Sequence, residues 1–170
     1  MPTSYRHREG TDGEVPRNRG GRTALDIGCG DGMLARYLHG HLGYRTTGID
    51  CAPTAVALAA DQHADVEGLT FQLLDFTAGG PNELRYSSYA LITCRLAYKF
   101  IGDKPRFLDR VRRLLTPGGI VWVVAELADR LDNEAVARGL SRAEVEELTT
   151  GWPAGHVEDL DRLICFRLDH

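Results

Sequence analysis

From Thr23 onward the chain alternates between two hydrophobic periods. Short runs rich in β-branched and aliphatic residues recur at Thr23–Ile27, Arg45–Ile49, Leu69–Leu73, Ala90–Thr93 and Ile120–Ala125, which is the pattern of strands buried on both faces of a sheet. Between them the apolar positions fall at helical spacing. This spacing predicts a helix from about Met33 to His41, with Leu34, Tyr37, Leu38 and His41 on one face. A second helix runs from Pro53 and Thr54 through "AVALAA", and a third from Lys104 to Leu115, with Phe107, Leu108, Val111, Leu114 and Leu115 turned inward. "TPGG" then stops the helix and returns the chain to a strand. "TAGGPNELRYSS" reads as a loop with at most one helical turn. Further on, Ser141 and Glu144 form a capping box for a helix ending near Thr149. His156–Asp159 and Leu163–Leu168 suit a closing hairpin. Alternating strands and helices predict an α/β fold on a mostly parallel sheet. In such sheets ligands bind beyond the carboxyl ends of the strands.

Composition narrows the class. A chain of 170 residues with 43% hydrophobic and 26% charged residues suits one globular domain. Residues 1–22 are polar, rich in glycine and arginine and without apolar period. They are expected to form a flexible arm or lid ahead of a domain spanning 23–170. No run approaches the roughly 20 apolar residues of a membrane span, and the polar start lacks a signal-peptide core, so a cytoplasmic protein is expected. Arginine supplies 18 of the 20 basic residues, a bias that accompanies GC-rich bacterial genomes. The net charge of -4 argues against nucleic acid as the main partner, since phosphate affinity comes from Lys and Arg. The seven basic residues between Arg95 and Arg113 read as a solvated helix face. Cys29, Cys51, Cys94 and Cys165 form no C-x-x-C pair and no zinc spacing, so no metal site is expected.

The chemistry begins at "ALDIGCGDG", where the first strand runs into Gly28, Gly30 and Gly32. Gly28 and Gly30 would admit a ligand close to the backbone, and Gly32 would allow close packing of the following helix. The spacing is G-x-G-x-G, with Met33 where a dinucleotide fingerprint has its last glycine, and there is no P-loop lysine. Asp50 ends the second strand, where a carboxylate can accept bonds from ribose hydroxyls. Asp75 ends the third strand, and Asp26 lies near the end of the first. Three carboxylates on one rim repel a phosphate and attract a cation. An adenosine with a positively charged amino-acid tail fits, and S-adenosyl-L-methionine is such a molecule.

The stretches "ALDIGCGDGMLARYL", "TTGIDCAPTAVALA", "FQLLDF" and "LLTPGGIVWVV", in this order, resemble the successive motifs of class I S-adenosylmethionine-dependent methyltransferases. The likeness covers about Thr23 to Ala125. "LITCRLAYKFIGDKPRFLDRVRRLLTPGG" is similar to small bacterial methyltransferases that also occur fused to a Nudix hydrolase domain, although no Nudix signature is present. The resemblance implies a Rossmann-like, doubly wound, mostly parallel sheet of seven strands with the last antiparallel. It implies that Asp26 and the Gly28–Cys29–Gly30 backbone hold the methionine end. It places Asp50 on the ribose, Asp75 and the Phe76 backbone on the adenine, Cys51 beside the adenine and Cys94 near the methionine portion.

The acceptor is less legible. After the fourth strand the chain reads "TCRLAY", unlike the "[DN]PP[YFW]" signature of enzymes that methylate planar amines. A small-molecule acceptor is expected instead. Arg95, Tyr98, Lys99 and Glu126 stand where catalytic side chains would: Arg95 to hold an acidic acceptor, Glu126 as base or amine ligand. His7 in the arm is a further base candidate. The same residues are compatible with a protein that binds S-adenosylmethionine without transferring its methyl group. Oligomeric state is not read from the sequence.

Overall fold

A computed structural model of the chain describes residues 22–79 and 83–170; His7 and the expected arm or lid, apart from Arg22, lie outside the described residues. The strands are β1 (Thr23–Ile27), β2 (Arg45–Asp50), β3 (Leu69–Leu73), β4 (Tyr89–Arg95), β5 (Leu115–Ala125), β6 (Ala154–Leu160) and β7 (Leu163–Asp169). The helices are α1 (Met33–Gly40), α2 (Pro53–Gln62), α3 (Lys104–Leu114) and α4 (Arg142–Thr149). One seven-stranded sheet has the order β3-β2-β1-β4-β5-β7-β6. β7 lies antiparallel between β5 and β6, and β3, β2, β1, β4 and β5 pair in parallel. This is the Rossmann-like arrangement that the motif order implied.

Local chemistry explains most boundaries. Asp103 caps α3 by accepting the Arg106 N–H at 3.0 Å, and Ser141 with Glu144 closes the expected capping box on α4. Pro53 starts α2, where its missing N–H costs nothing. The alternation of β1 divides the core between the two sheet faces. Leu25 and Ile27 join the α3 and α4 side with Ile92, Val111 and Leu148, while Ala24 packs with Leu38 and Leu91 beneath α1.

Three expectations need correction. Tyr37 stands outward, 50% exposed, stacked on His41 with ring centroids 4.6 Å apart; α1 buries Ala35 and Leu38 instead. α3 stops one residue early, and "TPGG" belongs to β5, which starts at Leu115 with a register irregularity opposite Tyr89 and Leu91. The basic run is only in part a solvated face: Arg95, Arg106 and Arg113 are exposed, but the rest is not. Arg110 is buried, Arg112 lies over the Trp152 ring at 4.6 Å, and Lys99 and Lys104 both pair with Glu144, at 2.8 and 3.2 Å.

Candidate functional site: a cleft at the strand ends

β1 delivers the chain to the glycine turn at the carboxyl edge of the sheet. Gly28 has φ +71, and a Cβ there would stand 2.6 Å from the Cβ of Ala97 in the loop after β4, so the two loops touch only because Gly28 has no side chain. A Cβ on Gly32 would likewise stand 2.6 Å from the Phe71 ring, so the missing side chain lets the turn sit on β3. Gly30 is different: open space lies in front of it.

The turn has no N–H to spare at its centre. Gly28 and Cys29 both donate to Ile49 O, at 2.9 and 3.0 Å, and Gly30 donates to Asp50 Oδ2 at 3.0 Å. A phosphate site needs unpaired backbone donors. Here those donors are spent on the protein.

Asp26 is the unusual group. It is 1% exposed and lies directly across from Thr93 in the β1–β4 register. Thr93 donates its hydroxyl to Asp26 Oδ1 at 2.7 Å, whereas Oδ2 is buried with no partner among the described residues. Burial pushes this carboxyl up to about 7, against the pull of the Thr93 hydroxyl, the nearby Ala35 N–H at the start of α1 and the Arg95 charge; the Ala35 N–H does not close a hydrogen bond of good geometry to Oδ2. A buried carboxylate with one empty oxygen calls for a donor, and a cationic amine is the natural one.

The other two aspartates serve their own loops as well. Asp50 accepts from Gly30 N and, through Oδ1, from Ala52 N at 2.9 Å, so it holds the glycine turn and the entry to α2 together. Asp75 is exposed, and its Oδ1 takes three bonds from Thr77 N, Thr77 Oγ1 and Ala78 N. These bonds, led by the Thr77 hydroxyl, hold the Asp75 carboxyl below its usual range. It therefore remains a carboxylate and an acceptor.

Ile27, Gly28, Asp50, Cys51, Asp75, Phe76 and Arg95 line one cleft of about 340 Å³, with Phe100 at its rim, 73% exposed. Leu96 also lines it, with a left-handed backbone (φ 57) rare for a leucine. The thiols separate by environment. Cys51 is exposed in the cleft. The Cys29 side chain turns under the turn towards Gly48, and burial pushes its thiol up to about 12, as it does for Cys94 in the core.

Of the acceptor-side candidates among the described residues, only Arg95 reaches the cleft. Tyr98 is fully buried against Phe107, centroids 5.5 Å apart. Glu126 is bound to Arg138 at 2.7 Å, and Lys99 to Glu144. Thr93 and Arg110 were not anticipated. Arg110 reaches back from α3 to donate to Phe76 O and, at 2.7 Å, to Gly79 O, which fixes the loop that carries Asp75. The available clue was an arginine set inside the inward stripe of α3; for Thr93 it was register counted from the glycine turn.

No helix among the described residues is long and apolar enough to cross a membrane. Residues 25–121 match the family model described as methyltransferase domain. Ubiquinone biosynthesis O-methyltransferase of Burkholderia vietnamiensis is 32% identical over 110 residues, covering 65% of this chain and 46% of that protein. The Caulobacter vibrioides protein of the same name is 32% identical over 103 residues, 61% of this chain and 40% of its own length. The chain thus spans less than half the length of these curated relatives. An S-adenosylmethionine-dependent methyltransferase from Mesorhizobium loti superposes with a TM-score of 0.72 at 19% identity, over 89% of this chain and 92% of that one. Phosphoethanolamine N-methyltransferase 2 of Haemonchus contortus, solved with S-adenosyl-L-methionine, superposes at 0.70 and 23% identity, over 86% of this chain and 36% of its own. The sheet order and the family match over more than half the sequence agree: the chain belongs to the methyltransferase domain family, with S-adenosylmethionine as its cofactor.

Proposed function

We propose that this domain transfers the methyl group of S-adenosylmethionine to a small-molecule acceptor. The observation that carries the reading is the Asp26 carboxylate, buried with one oxygen unpartnered beside a glycine turn whose central N–H groups are occupied. That environment suits an ammonium group and repels a phosphate. Bound S-adenosylmethionine supplies an electrophilic methyl group on a sulfonium. In this reading Asp26, through Oδ2, holds the amino group, and the Gly28–Cys29–Gly30 backbone bounds the methionine end, with the Cys94 core beneath. Asp50 accepts from the ribose. Asp75, Cys51 and the Phe76 backbone border the adenine. Arg95 faces the acceptor.

Methyl transfer is an in-line displacement, so the chain's task is alignment and exclusion of water. With Tyr98 in the core, Glu126 paired with Arg138 and Asp50 and Asp75 given to the cofactor in this reading, none of the described acceptor-side candidates is a free base at the cleft. An acceptor ionised on its own, such as an acidic hydroxyl, suits that arrangement. Small acceptors agree with the relatives named for ubiquinone biosynthesis, with the net charge of -4, and with the missing planar-amine signature. The finer likeness to the methyltransferase part of Nudix fusions rests on the stretch from Leu91 to Gly119 alone.

The test is calorimetry with S-adenosylmethionine, S-adenosylhomocysteine and NADH, followed by incubation of methyl-labelled S-adenosylmethionine with a bacterial metabolite extract. Both adenosyl compounds should bind and NADH should not. Label should move to a small product as S-adenosylhomocysteine accumulates. Binding without any label transfer would leave a cofactor-binding protein, and NADH binding would overturn the reading.

A further inference from the structure

The sheet ends in β6, which pairs with β7 alone among the described residues. Every residue from Ala154 to Leu160 is exposed, Val157 at 50% and Leu160 at 46%. The strand is regular, running residue for residue from Ala154 opposite Asp169 to Leu160 opposite Leu163. It holds no proline, lysine or bulge, three of the devices that keep a sheet edge from meeting another strand.

The hairpin sets the direction of its backbone groups. Leu160 and Leu163 flank a turn made of Asp161 and Arg162, so they form the first pair that exchanges both backbone bonds. Alternation then turns the N–H and C=O groups of Glu158 and His156 towards β7. Those of Asp159, Val157 and Gly155 point away from the sheet, where no described strand meets them.

The side chains say what fits there. A two-fold axis at Val157 lays a second β6 antiparallel along the whole strand. Val157 then meets its own counterpart, His156 meets Glu158, Gly155 meets Asp159 and Ala154 meets Leu160. Apolar and oppositely charged residues set directly opposite each other stabilise an antiparallel pair, and an imidazole can donate to a carboxylate in either protonation state. Centring the pair on Glu158 instead would set two carboxylates face to face and shorten the overlap. Asp159, the remaining charge, is already gripped by Arg130 at 2.8 and 2.7 Å. The edge is complementary to itself in one register.

We infer that β6 is a dimerisation edge and that its partner is β6 of a second copy of this chain, paired antiparallel about Val157 into one continuous sheet. Such a contact uses the same strand in both copies and therefore closes at two. β5 and β7 separate β6 from β4, and the antiparallel pairing points the two carboxyl edges in opposite directions. Both cofactor clefts stay clear of the contact.

Sedimentation velocity of the full chain tests this. One strand pair makes a small interface, so a dimer with a dissociation constant on the order of 10 µM is expected. Val157→Pro removes an outward N–H that β7 does not use, a place where an edge strand tolerates proline. It should weaken the dimer by about tenfold or more while S-adenosylhomocysteine affinity stays unchanged. His156→Glu sets carboxylates opposite each other and should also weaken the dimer; adding Glu158→His exchanges the pair and should restore it. A chain still monomeric at roughly 200 µM, a dimer indifferent to Val157→Pro, or a His156→Glu variant that Glu158→His does not rescue would overturn the inference. So would growth beyond the dimer, the outcome of pairing β6 with the opposite edge β3. A monomer that dimerises only after residues 1–21 are removed would also overturn it, giving the edge to the chain's own N-terminal residues.

Discussion

Asp26→Asn separates the stability cost of the buried carboxylate from its use. The folded-state carboxyl sits at about 7 against the ordinary aspartate value of 3.8, so the folded protein holds this proton more tightly than the unfolded chain. Stability from the group is then fully present below about pH 4, falls as pH rises through the interval, and is lost above about pH 7. Over the whole interval the loss amounts to about 4 kcal/mol, and between pH 5 and 8 to about 2.5 kcal/mol. For a chain of this size that corresponds to roughly 5–10 °C in melting temperature. The asparagine variant has no charge to desolvate, and its side-chain carbonyl still accepts from Thr93. It should lack this component of the pH dependence and be more stable than the parent at pH 8. Cofactor affinity should move the opposite way and fall by a hundredfold or more, roughly the 3 kcal/mol of a charge-assisted bond. A bound ammonium group would also lower the Asp26 carboxyl again. At pH 6, where about 0.9 of the sites are protonated, binding should release close to one proton, visible as a buffer-dependent heat. Urea melts at pH 5 and 8 and calorimetry in two buffers test both halves. An asparagine variant no more stable at pH 8, or binding heats independent of buffer, would refute the assignment.

Other expectations are more local. Asp50→Ala removes the acceptor of Gly30 N and Ala52 N as well as the ribose ligand; calorimetry should show cofactor binding weaker by roughly ten- to a hundredfold, and unchanged affinity in a folded variant would make Asp50 purely structural. Arg110→Met strands the buried Phe76 carbonyl, at about 1–3 kcal/mol, and the half-buried Gly79 carbonyl at less, so both the melting temperature and S-adenosylhomocysteine affinity should drop. Gly28→Ala drives a Cβ into Ala97 and should destabilise the fold in thermal melts more than Gly30→Ala. The Gly30 variant has room for its methyl, so its only fold cost is the strain of a side chain at φ +54, but it should lose the cofactor. Iodoacetamide at pH 8 should label Cys51 first, since Cys29 and Cys94 are buried with thiols pushed up to about 12. Saturating S-adenosylhomocysteine should slow that labelling, and mass spectrometry of peptides reads the result.

The elements were largely written in the chain because their causes are local. β1 occupies Thr23–Ile27 as expected, since an apolar run that meets three glycines within five residues has no other end. The capping box at Ser141 and the inward stripe of α3 depend on neighbours three or four positions apart, a distance at which the backbone leaves little choice. The order of strand-end aspartates was readable for the same reason: each follows its own strand. What each aspartate does was decided by partners far away in sequence. Asp26 acquires its character from Thr93, 67 residues on, and from burial by elements that no local pattern specifies. Phe76 is held by Arg110, 34 residues away, a residue whose charge alone suggested solvent. Tyr98 and Tyr37 show the limit most plainly. Each is an aromatic residue at a plausible position, yet one fills the core and the other stands half-exposed on α1. Periodicity assigns a residue to a face of its own element, whereas burial depends on whether another element covers that face, and that is settled only when the sheet assembles.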